Sequence, residues 1–120
     1  MNVIYKNHDM SKRDIVSLTR SATESIDKVT PGTIIHPDNV LQYTDISRRV
    51  DKATGEAHEE EVTVLVIEDT AADRKFSTTS PYFMDEFMYI ADFMGDDDFS
   101  IKTTRNTSKN NREFNSCEIV

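Results

Sequence analysis

The sequence predicts a mainly-β domain: a small five-strand barrel with one helix at its N-terminus and a second between the third and fourth strands. Three observations carry that expectation. Val40, Gln42, Thr44 and Ile46 alternate with Leu41, Tyr43, Asp45 and Ser47, the period of two of an extended strand. "EVTVLVIED" (61–69) places Val62, Val64 and Val66 on one face and Leu65 and Ile67 on the other, so both faces are expected to be covered. One strongly apolar helical stretch, 81–94, then separates these strands from a closing polar hairpin.

In chain order, residues 1–10 are polar and without pattern and predict a loose leader. From Ser11 to about Ser25, Ile15, Val16 and Leu18 supply a thin helical stripe. Ser11 is the expected N-cap, with Asp14 three residues on as in a capping box. "TPG" (30–32) breaks the helix. A strand over 40–50 leads into "DKATGE" (51–56), a turn in which Gly55 accommodates positive φ. The strand 61–69 follows, then the turn "TAADR" and the short strand "KFSTTS".

In the second helix, Ser80 caps and Pro81 occupies the first position, where a missing N–H is harmless. Phe83, Phe87, Ile90, Ala91 and Met94 share one face, and Gly95 ends the helix. "FSIKTTR" and "REFNSCEIV" flank "NTSKNN" as strand, loop and strand. Residues 1–30 thus read as leader and short helix, and 31–120 as the main domain. Three strands, a plugging helix and two strands is the order of an OB-fold-like barrel.

Composition narrows the function. The 120 residues carry a net charge of -8, one cysteine and 37% hydrophobic residues. One cysteine excludes an intrachain disulfide, and no Cys/His spacing suggests zinc. The N-terminus lacks a signal-peptide core and no stretch is long enough to span a bilayer, so a cytoplasmic protein with no membrane partner is expected. His8, His36 and His58 have no nucleophilic partner, no glycine-rich phosphate loop exists, and Asp96-Asp97-Asp98 reads as a solvated loop. The expectation is neither an enzyme nor a cofactor or metal protein.

The charge is uneven. Residues 61–98 hold 10 acidic and 2 basic groups, whereas 99–120 hold 2 acidic and 4 basic. OB barrels grip oligonucleotides with their first and last hairpin loops. Here those loops are 48–58, with Arg48, Arg49 and Lys52, and 105–112, with Arg105, Lys109 and Arg112. Lys102 belongs to the same basic island, and Arg74 and Lys75 are expected near the same face. Single strands also need rings for base stacking, and Tyr43, Phe76 and Phe114 are the strand aromatics beside these loops.

Three stretches, "DIVSLTRS", "FSTTSPYFMDEFMYIADFMGDDDFSIK" and "RNTSKNNREFNSCEIV", resemble small single-stranded-DNA-binding proteins of bacteriophages and conjugative mobile elements. The resemblance runs from about Ser11 onward. It implies an OB fold, binding of single-stranded DNA with weak sequence preference, and service to replication or transfer, alongside other proteins of those processes. The chain departs from many single-strand binders in lacking tryptophan and in ending within a predicted strand.

Two other readings come from the residues. The first is an acidic DNA mimic that inhibits a host nuclease or defence enzyme through Asp85, Glu86, Asp92 and Asp96–Asp98. The second is an adaptor, a homodimer or a higher oligomer using the 81–94 helix, where Met84, Met88, Tyr89 and Phe93 lie outside the main stripe.

Overall fold

A computed structural model describes residues 1–120. The elements are β1 (Asn2–Lys6), α1 (Lys12–Arg20), β2 (Glu24–Ser25), a 3-10 turn (Ile26–Lys28), β3 (Ile34–Ile35), β4 (Asn39–Val50), β5 (Ala57–Asp69), β6 (Arg74–Thr78), α2 (Pro81–Met94), β7 (Ile101–Thr107) and β8 (Glu113–Ile119). The mainly-β class, the two helices and the five strands β4 to β8 are as the sequence predicts, with β5 starting four residues before the expected 61–69.

The hydrogen-bonded ladder does not close into a barrel. One sheet has the order β1-β4-β5-β6-β2 and the other β3-β7-β8. The reason lies in the first 35 residues. β1 occupies the outer edge of β4, β2 that of β6 in parallel, and β3 that of β7, so β4, β6 and β7 have no edge left to join the two sheets. The expected loose leader is likewise corrected, since residues 2–6 pair with Leu41–Thr44 of β4. Ile26 and Val29 are buried in the main core.

Both faces of the larger sheet are covered, as the apolar alternation of β5 requires. On one face Leu41, Tyr43 and Val66 pack with Leu18 of α1. On the other, Val40, Leu65, Ile67 and Phe76 pack with Phe83, Phe87 and Ile90 of α2. Ser11 caps α1 in a full capping box with Asp14, and the Ser80 side chain caps α2. Met84, expected outside the buried stripe, is 6% exposed.

Beyond the core, β4 and β5 continue as a bare two-stranded arm. The β1 ladder on β4 stops at Thr44 and the β6 ladder on β5 stops at Leu65, leaving both edges of the arm open. Pairing nevertheless continues from Asp45↔Val62 to Val50↔Ala57, a reach of roughly 17 Å at about 3.4 Å per residue. In the arm's tip, the Asp51 carboxylate accepts from the Ala53 N–H at 2.8 Å and Gly55 takes φ 73°.

Register and contacts fix which end of the molecule each loop occupies. β5 runs from the arm tip to Asp69, and β6 returns until Thr78 lies opposite Leu65, so α2 starts on the arm side. α2 ends beside the opposite pole, where His36 bonds Asp98 and the Asp38 N–H donates to Glu68 O. Phe114, near the tip of the β7–β8 hairpin, packs on Tyr82 in the first turn of α2, with ring centroids 4.9 Å apart. Both hairpin tips therefore belong to the pole where α2 begins, and Asp96–Asp98 belong to the other.

Candidate nucleic-acid interface

The proposed cations divide between the two poles. Arg48, Arg49, Lys52, Arg105, Lys109 and Arg112 lie at the arm pole. Arg74, Lys75 and Lys102 do not join them, which corrects their expected placement. Arg74 opens β6 opposite Asp69 and Lys102 stands opposite Ile34 near the start of β7. Each also has an anionic partner: Arg74 forks onto Glu24 with two 2.8 Å bonds, Lys75 reaches Glu68 at 3.6 Å, and Lys102 reaches Glu118 at 2.8 Å. Hydrogen bonding from Arg74 holds the Glu24 carboxyl below its ordinary range.

The arm-pole cations are not equivalent either. Arg48 and Arg49 face the cross-strand carboxylates Glu59 (3.5 Å) and Glu60 (3.3 Å). Arg105 braces its hairpin: its guanidinium donates to the Asp27 carbonyl at 2.9 Å, and Asn115 donates to the Asp27 carboxylate. Lys52, Lys109 and Arg112 are exposed and form no ion pair. These three carry the freest positive charge of the proposed set. Exposed Lys28, in the 3-10 turn that Arg105 grips, adds a fourth cation without an ion pair at this pole. Nothing in its local sequence marked it, because only the Asp27 contacts bring that turn to the hairpin.

Two of the three proposed stacking rings are corrected by burial. Tyr43 is 7% exposed within the α1-side core, and Phe76 is 1% exposed with the Arg74 guanidinium 4.8 Å from its ring centre. Neither presents a face to a base. Phe114 is half-buried because Tyr82 lies against it. Tyr82 is itself 64% exposed, and it is the ring the strand-centred reading missed. Its signal was helical: Tyr82, Tyr89 and Phe93 follow i, i+7, i+11 spacing, one outward stripe opposite the buried one.

Next to Tyr82 runs an open groove of about 460 Å³, lined by Arg49, Gln42, Val62, Thr63, Thr79, Pro81, Met84 and Asp85. The first turn of α2 is thus flanked by the arm on one side and by the β7–β8 hairpin on the other. A second cavity of about 280 Å³ sits at the opposite pole, among His8, His36, Asp38 and Asp96–Asp98. Its carboxylates would repel phosphate, so it does not suit a nucleic-acid backbone.

In that acidic pole, His36 Nδ1 lies 3.0 Å from Asp38, and Nε2 bonds Asp98. The bond to Asp98, more than any other contact, raises the imidazole above its ordinary 6.5. A raised folded-state value stabilises the native protein below the unfolded value and loses that contribution as pH rises through the folded value. Above pH 6.5 the wild type is therefore expected to lose thermal stability more steeply than His36→Gln. Unfolding midpoints of both proteins along a pH series measure this; parallel curves would refute it.

Fold and surface together define a small β-rich protein with an aromatic pole that carries unpaired cations and, opposite it, an acidic pole. No helix is long and apolar enough to cross a membrane. The family of phage single-stranded DNA-binding proteins of the phi29 type matches residues 7–120. The chain belongs to this family, and single-stranded DNA is the partner its membership supplies. No curated protein and no solved structure matches the chain.

Proposed function

We propose that the protein binds single-stranded DNA with weak sequence preference, in the replication or transfer of a phage or related mobile element. The strand runs across the arm pole. Lys52 on one side and Lys109 and Arg112 on the other meet its phosphates, and a base stacks on Tyr82, backed by Phe114. The observation that carries this reading is the emergence of both hairpin tips at one end of the molecule, with the first turn of α2 between them. Stacking tolerates any base, and the hydroxyls and amides of "TTRNTSKNN" suit phosphate and sugar oxygens better than base edges. Both favour weak preference. The protein binds the strand without chemically altering it, in keeping with a family named for binding.

Fluorescence anisotropy with labelled oligo(dT), repeated with oligo(dA) and oligo(dC), tests the reading. Absence of binding at low salt and high protein concentration would refute it. A specific prediction concerns the stacking ring. Tyr82→Ala is expected to weaken oligo(dT) binding about tenfold, within the ~1–3 kcal/mol typical of one stacked base. Tyr89→Ala, on the same helix but nearer the acidic pole, should not weaken binding. Equal losses from the two variants would remove Tyr82 from the site. The DNA-mimic reading has no such support, because the family is named for binding DNA.

A further inference from the structure

Tyr89 and Phe93 stand one turn apart on the outer face of α2, 71% and 81% exposed. Helical spacing surrounds them with Asp85, Glu86 and Asp92, all exposed and none ion-paired. Between Phe76 and Ile101 the chain has six acidic residues and no lysine or arginine. Two bare rings so close together mark an interaction surface, and the charge around them decides its partner. Asp92 and Asp96–Asp98, at the Phe93 end of the helix, repel nucleic acid and anionic lipid. A second α2 packed face to face would bring like charges together. The match must be cationic, and the chain itself carries one at the β7–β8 hairpin tip: Lys109 and Arg112, both exposed and without an ion-pair partner.

We propose that the acidic aromatic face of α2 docks on the β7–β8 hairpin tip of a second copy, and that single-stranded DNA competes for that tip. The two surfaces are different patches, Tyr89–Phe93 on the second half of α2 and Lys109–Arg112 on the hairpin tip, so a contact between them can repeat head to tail and leave a free surface at each end of the assembly. DNA-free protein then forms open chains that lengthen with concentration. A single strand, with its denser negative charge, displaces the neighbouring helix and releases protomers onto DNA. The competition rests on the DNA reading above; the docking does not.

Sedimentation velocity on the DNA-free protein tests the docking. At low salt the sedimentation coefficient should rise with protein concentration, and high salt or equimolar oligo(dT) should return it to the monomer value. The double variant Tyr89→Ala/Phe93→Ala, whose replaced rings are exposed and whose circular dichroism should be native, is expected to stay monomeric. Its oligo(dT) affinity should match or exceed that of the wild type. Lys109→Ala/Arg112→Ala should also stay monomeric, but with weakened DNA binding. A monomeric wild type at low salt, or a ring variant that assembles like the wild type, overturns the docking. Assemblies that persist with oligo(dT) bound overturn the competition. Assembly that needs both surfaces, in a protein that binds no DNA, would uphold the docking and reject only the DNA reading.

Discussion

Replacing Lys109 and Arg112 with alanine is expected to weaken oligo(dT) binding roughly 25-fold near 0.1 M salt. The estimate follows from counterion release. Each phosphate contact on a single strand contributes a slope of about 0.7 in log affinity against log salt, so two contacts are worth about 1.4 log units per decade of salt. The double variant should accordingly show a salt slope shallower by about 1.4. These two residues are chosen because they enter the bound state without breaking an existing ion pair. Arg48 and Arg49 must first leave Glu59 and Glu60. Exposed pairs of this kind are worth about 0.2–1 kcal/mol, which offsets part of any phosphate contact they gain. Lys102→Ala is the control, since Lys102 is paired with Glu118 away from the tips. An equal loss from Lys102→Ala would locate the DNA elsewhere.

The largest effect on stability is expected at Phe76. Truncating it to alanine should cost about 3–5 kcal/mol, the usual range for a fully buried phenylalanine, and lower the unfolding midpoint by more than about 10 °C in a chain of this size. The ring is 1% exposed and packs with Leu65, Ile67 and the phenylalanines of α2, so its removal leaves a cavity where the sheet meets the helix. Phe76→Leu fills much of that space and should bind oligo(dT) like the wild type. This outcome separates a core residue from a stacking platform. If the leucine variant folds natively and loses DNA affinity, the ring reaches the strand after all.

How much of this was legible in the sequence depends on whether the deciding partners were near or far along the chain. β4 and α2 carry long internal patterns and local stop signals, such as Pro81 and Gly95, and form where those signals place them. β5 instead starts at Ala57, four residues before its apolar alternation, because it pairs with β4 as far as Val50. β1, β2 and β3 are short, and each is defined by a strand far away in sequence: Val3 by Tyr43, Glu24 by Phe76, Ile34 by Lys102. No pattern can be read in a two-residue strand, and the open pair of sheets follows from those three pairings.

The same limit governed the rings. Alternation shows that Tyr43 and Phe76 point to definite faces, but α1 covers one face of the sheet and α2 the other, so neither face was free. Arg74, Lys75 and Lys102 were misplaced because their anionic partners come from other strands or from β2. Tyr82, by contrast, could have been found by following the second, outward stripe of α2.

The open edges of the β4–β5 arm explain a feature at odds with DNA binding. Between Ile46 and Glu61 the arm holds three cations but five acids: Asp51, Glu56, Glu59, Glu60 and Glu61. A ribbon with two unpaired edges and exposed Ile46 and Val50 is a template onto which another chain's strand can add, the first step of aggregation. Its carboxylates make each arm repel the arms of other copies, so their bare edges do not zip together. The acid on the arm thus acts against fibre growth, and some attraction for phosphate is given up to keep the protein in solution.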